Sequence, residues 1–193
     1  AKDGKRYSYT LLGLAIYYTI EGQYDELSSV LDSVKMFWDI LDIRHKDSYY
    51  QFRLAEFKET GRTQMLEAGI EEYISEFPED TVNWMSVAEY YLALREPRKA
   101  LEALDKYKNK NTDYRREPAY YIHESNAYDS LGITDSALSA YKNYQELMDS
   151  INTVILDQDT KFLHERYEKD RLVTKAKHER ATIALSSIIV MLA

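Results

Sequence analysis

Four histidines and no cysteine are the first constraint on any chemistry this 193-residue chain could perform. His123 opens the stretch His-Glu-Ser-Asn-Ala, but a zinc-protease helix needs a second His one turn later, and Ala127 stands there instead. His164 and Glu168 lie one helical turn apart; two such ligands fall short of the three or four that a zinc site uses. The triplet His-Glu-Arg recurs at His164 and His178, with no ATP-binding sequence to serve it. The chain also lacks a Gly-rich phosphate loop, a Gly-x-Ser-x-Gly elbow and a paired Asp motif. Without cysteine there is neither thiol catalysis nor a disulfide, which leaves the compartment open. The expectation is a non-enzyme with no catalytic, cofactor-binding or metal-binding residues.

Composition then points to the elements that must carry whatever function remains. Only six Gly and three Pro interrupt long stretches of Ala, Leu, Glu, Lys, Gln, Tyr and Met, a balance that favours helices over strands. The formal net charge is -8. Residues 1–150 hold 18 basic against 27 acidic side chains, whereas residues 151–193 hold 7 against 6. A body this acidic repels phosphate backbones, so nucleic acid is not an expected partner.

Gly22, Gly61 and Gly132 each follow one helical apolar pattern and precede another, as the closing glycine of a helix does inside a helical hairpin. The stretch from Asn83 to Tyr107 gives the clearest unit, with Trp84, Val87, Ala88 and Tyr91 before a turn and Ala100, Leu104 and Tyr107 after it. Leu11, Leu14, Ala15, Tyr18, Leu27, Leu31 and Val34 fall into the same frame in a first unit. Tyr50, Leu54, Phe57, Leu66, Ile70 and Tyr73 do so in a second, and Tyr121, Ser125, Tyr128, Ala137, Tyr141 and Tyr144 in a fourth. On these residues the chain resembles the tetratricopeptide repeat, a 34-residue helix-turn-helix. The resemblance covers residues 8–151 and implies an all-α fold in which four divergent hairpins stack into a right-handed TPR-like superhelix, followed by a long C-terminal helix. Three departures stand out: Arg95 where the turn glycine belongs, Arg53 at a usually apolar position, and Leu27 and Leu66 in place of a small residue at a close helix crossing.

In repeats of this kind the first helix of each hairpin faces a concave groove. Carried over by spacing, the candidate lining residues are Thr19, Gln51, Lys58, Glu59, Met85, Glu89, Asn126 and Asp129. The implied partner is a protein or peptide, and no cofactor is implied. Relatives that clamp a terminal carboxylate use a cluster of Lys, Asn and Arg in the groove, whereas Lys58 and Asn126 stand nearly alone here.

Residues 152–182 carry charge without Gly or Pro and are expected to form one uninterrupted stalk helix, a surface for a homodimer. The last thirteen residues hold no charge and three polar side chains. The apolar tail from 183 to 193 is too short by itself to span a bilayer, which takes about 20 apolar residues. It is read first as the start of a membrane helix, beginning near Ile183, and second as a helix capping the array. The chain starts at Ala1 without a leader and stops inside this run, so it is expected to be a piece of a longer protein. The whole order resembles the tetratricopeptide sensor regions of Bacteroidetes membrane proteins, which implies a membrane-anchored signal-transduction or transcription-regulatory protein with its repeats in the periplasm or otherwise extracytoplasmic. Residues 166–180 hold six basic and three acidic side chains, a flank that favours the cytoplasmic side and keeps open a cytoplasmic adaptor or scaffold.

Overall fold

The structure is a computed structural model that describes the backbone of residues 2–192 and the side chains of residues 4–169 and 171–173. Among the described residues every regular element is helical: α1 Lys2–Ile20, α2 Tyr24–Lys35, α3 Ile43–Glu59, α4 Thr63–Glu76, α5 Trp84–Ala93, α6 Pro97–Lys110, α7 Pro118–Ser130 and α8 Thr134–Leu192, with short 3-10 turns at Trp38–Ile40 and Tyr114–Arg116. The fold is therefore all-α. The chain divides into two compact units between Tyr144 and Gln145, so the second unit is the continuation of α8 alone.

Local chemistry explains most helix ends. Pro97 and Pro118 occupy the first turn of α6 and α7, where a missing N–H costs nothing. Asp42 caps α3 by accepting from the His45 backbone N–H, and Asn83 caps α5 through Ser86 N–H. Pro78 follows the end of α4.

Four turns inside the hairpins share one geometry. At the first, Gln23 N–H donates to Tyr18 O at 2.9 Å and Gly22 sits at φ 67°. Arg62 N–H to Phe57 O, Glu96 N–H to Tyr91 O and Ile133 N–H to Tyr128 O repeat the bond, each at 2.9 Å. Gly61 and Gly132 take φ 68° and 73° at the matching place, and Arg95 is forced to φ 60° there. This six-to-one bond closes a helix only when the residue just before its N–H donor is left-handed. A non-glycine residue pays roughly 1 kcal/mol for that conformation, and Arg95 is exposed. Arg95→Gly is therefore expected to raise stability by about 1 kcal/mol, or about 2–4 °C in Tm, as read by calorimetry; a lowered Tm would mean that the Arg95 side chain holds the turn.

Hairpins α1/α2, α3/α4 and α5/α6 pack internally, and first helices contact first helices along the series α1, α3, α5, α7. The start of α8 packs on α7, where the buried Ser125 hydroxyl donates to Ala137 O at 2.9 Å. One continuous core runs through Leu27, Leu31, Leu54, Ile70, Tyr73, Trp84, Val87 and Leu104. Buried tyrosines tie α3 to α4, and α4 to the start of α5, while their hydroxyls find partners. Tyr73 OH donates to Asp47 at 2.5 Å and accepts from Asn83 N–H at 2.9 Å, and Tyr50 OH donates to Glu72 at 2.8 Å.

In the second unit Val154, Ile155, Phe162, Leu163, Tyr167 and Leu172 are all exposed. The helical backbone continues to Leu192, but the side chains of the tail read as the start of a membrane helix lie outside the described residues. No helix among the described residues is long and apolar enough to cross a membrane.

Candidate functional site

The series α1, α3, α5, α7 supplies the face on which the sequence places a binding groove. Its polar centre is Lys58 near the end of α3, whose Nζ lies 2.6 Å from Glu89 Oε1 on α5 and 2.9 Å from the adjacent Glu59 Oε1. Burial works against this ammonium, but its hydrogen bonds to Glu89 and Glu59 outweigh it and hold the pKa above the usual lysine value. The group bridges two hairpins and carries one negative charge more than it carries positive. A ligand reaching this place meets a preorganised carboxylate–ammonium–carboxylate row, suited to hydrogen bonding with a peptide backbone or a polar side chain.

His123 on α7 belongs to the same neighbourhood. Burial lowers its pKa from 6.5, the Glu89 charge pulls it back up, and the Lys58 charge lowers it further. The unfolded chain therefore binds a proton at His123 before the folded chain does. Stability is expected to fall as pH drops through 6.5 and to stop falling, for this group, once the lower folded pKa is passed. In urea titrations at pH 7 and pH 5, His123→Gln should show a smaller difference than the natural chain; an equal difference would place the titration elsewhere.

The other candidates separate into two kinds. Thr19 turns its hydroxyl back to Ala15 O at 2.7 Å, a bond within its own helix. Gln51 is occupied structurally, its side-chain amide donating to Tyr73 OH at 3.2 Å while its backbone carbonyl accepts from Tyr90 OH at 3.2 Å. Met85 is half-buried against the core. Asn126 and Asp129 are exposed on α7. The structure thus joins Lys58, Glu59 and Glu89 into one cluster and leaves the remaining five dispersed. His123 was not among the residues expected to line the groove. Spacing gave no signal for it, since the residues nine places before Gly61 and Arg95 are Phe52, which packs on the core, and Ser86.

A second polar cluster ties α1 to the start of α3. Asp42 Oδ1 lies 2.6 Å from His45 Nδ1, Tyr9 OH donates to Asp42 Oδ2 at 3.0 Å, and the Tyr9 and His45 rings stack with centroids 3.7 Å apart. The hydrogen bond to His45 is the main cause holding the Asp42 carboxyl well below its usual range. Both carboxylate oxygens are engaged in capping and fastening, so the cluster is a structural clasp. A shallow cleft of about 430 Å³ runs past Trp84, Glu79 and Asn109. Lys106 already covers the indole at 4.1 Å and pairs with Glu79 at 3.0 Å. Among the described residues no group of three or more His, Asp or Glu side chains is placed to hold a metal ion.

No family model, curated protein or solved structure matches the chain.

Proposed function

We propose that this chain is a non-enzymatic helical-repeat binding module of the tetratricopeptide kind, which holds a protein or peptide partner against the face formed by α1, α3, α5 and α7. The observation that carries the reading is the fourfold recurrence of one turn, with a left-handed residue at 22, 61, 95 and 132 and an aromatic carbonyl four residues earlier at Tyr18, Phe57, Tyr91 and Tyr128. Stacking hairpins of one geometry leaves the first helices side by side, and the Lys58–Glu89 bridge lies across two of them. The same proposal makes the module the extracytoplasmic sensor of a membrane-anchored signalling or regulatory protein, with a ligand on the first-helix face shifting the stack and α8 carrying the shift onward. The excess of basic residues at 166–180 favours a second reading, a cytoplasmic adaptor using the same face.

Two measurements test these readings. A photo-crosslinking residue at position 85, on the first-helix face, should give discrete adducts in the cell of origin that the same residue at the exposed position 105 does not; identical adducts from both would overturn binding at this face. The gene sequence beyond Ala193 separates sensor from adaptor. A continued apolar run ending in Lys or Arg supports the sensor, and a polar continuation overturns it.

A further inference from the structure

Trp38, Tyr49 and Tyr50 form an aromatic box at the join between the first two hairpins. Trp38 comes from the 3-10 turn after α2, and the two tyrosines come from α3. The three rings stand close to perpendicular to one another, at 71, 84 and 83°, with centroids 5.2, 5.7 and 5.6 Å apart. One cation faces all three. Lys35 Nζ, from the last turn of α2, lies 3.9 Å from the Trp38 centroid, 5.3 Å from that of Tyr49 and 5.8 Å from that of Tyr50. The tyrosines are only 6 and 2% exposed, and Tyr50 packs further on Tyr73 and Phe77, at 5.4 and 5.8 Å between centroids. Edge-to-face contacts of this kind hold rings in fixed orientations, so the box is a preorganised cation site.

Lys35 fits that site poorly. A lysine ammonium is strongly hydrated and carries three N–H donors. The oxygen it pairs with, Glu72 Oε1 on α4, is 3.6 Å away, past hydrogen-bond range, and already accepts from Tyr50 OH at 2.8 Å. The Lys35 side chain is 44% exposed on a flexible stem at a helix end, free to swing into water. Its departure leaves three ring faces, which attract cations, and the charge of Glu72 without a partner. The neighbouring Lys46 does not fill that need: it lies over the Trp38 ring at 4.7 Å but is matched by Glu76 at 3.3 Å. The place left open suits a cation that has no N–H to satisfy. We infer that the Trp38–Tyr49–Tyr50 box binds a trimethylammonium group, carried by a small choline-like molecule or by a methylated lysine, and that Lys35 is the stand-in such a group displaces. The inference is independent of what the first-helix face binds.

Choline titrated into the natural chain from about 0.1 to about 100 mM, with ionic strength held constant by sodium chloride, tests this. The indole N–H proton resonance of Trp38 is expected to shift and saturate, while that of Trp84, the other tryptophan of the chain, stays in place. Neohexyl alcohol, the uncharged carbon analogue of choline, should bind at least about tenfold more weakly, because the rings attract the charge. Lys35→Ala empties the box and should tighten choline binding at least about tenfold. Glu72→Gln, a change on an exposed side chain, should weaken it, and circular dichroism checks that both variants stay helical. A peptide carrying trimethyllysine, set against the same peptide with plain lysine, separates the two sources. If it binds more tightly than choline, the group belongs to a partner chain; if choline binds more tightly, it belongs to a small molecule. A natural chain with no saturable shift at Trp38, or with equal affinity for choline and its uncharged analogue, overturns the proposal. So does an affinity that Lys35→Ala leaves unchanged, which would place choline outside the box.

Discussion

Replacing Glu56 by Ala is expected to destabilise the folded chain by about 3–5 kcal/mol, a large share of the roughly 5–15 kcal/mol that holds a typical domain together. Glu56 is completely buried in α3 and is held from two sides, by Arg53 at 2.9 Å and Arg62 at 3.0 Å. Arg53 also bonds Ser28 and Asp32 of α2 and lies over the rings of Tyr49 and Phe57. Deleting the carboxylate leaves the largely buried Arg53 guanidinium with Asp32 as its remaining carboxylate partner and opens a void where the buried Glu56 side chain stood. Urea denaturation measures the loss, which the double change Arg53→Met with Glu56→Leu should largely restore, because apolar groups of similar volume need no counter-charge. If Glu56→Ala cost less than about 1 kcal/mol, the carboxylate would be solvated in solution and the hairpin-to-hairpin clamp would be wrong.

That clamp also shows where sequence reasoning succeeds and where it stops. The turn glycines at 22, 61 and 132 were legible because a left-handed closing residue is a local backbone demand, stated by one side chain. Arg95 met the same demand without the side chain that signals it. The repeat frame, not the residue, located that turn. Arg53 looked like a departure from an apolar position, but its meaning lay in a residue three places on and in two others more than 20 places earlier. The lining residues were predicted by spacing alone, which says which face a residue shares but not where its hydrogen bonds go. Gln51 and Thr19 share the face and are spent on the scaffold, while His123 entered the Lys58–Glu89 neighbourhood from a position the lining pattern did not count. α8 runs from the fourth hairpin into the charged stalk as one helix, and the two compact units divide within it between Tyr144 and Gln145.

The second large effect is expected from Ala100→Trp, which should cost at least about 3 kcal/mol and lower Tm by about 6–12 °C. Ala100 is fully buried on α6, and Ala103, one turn on, is nearly so, facing α5 where Ala88 is also fully buried. Small residues there bring two helices together, and an indole can enter only by forcing them apart. The first two hairpins hold Leu27 and Leu66 at the position of Ala100, and both are buried without distortion of the fold. In α4 the compensation is visible one turn later. Gly69 takes the place of Ala103, and a Cβ added there would come 2.7 Å from Leu54 Cδ2. In α4 a bulky residue at one contact is thus matched by the smallest one at the next, whereas α2 carries Val30 at that place. Ala100→Trp in α6 has no such relief, because Ala103 already carries the Cβ that Gly69 omits. Arg98→Trp, two residues away and exposed, is the control and should move stability by no more than about 0.5 kcal/mol. Equal thermal midpoints for the two variants would mean that α6 presents a different face to α5, and the common frame of the four hairpins would fail with it.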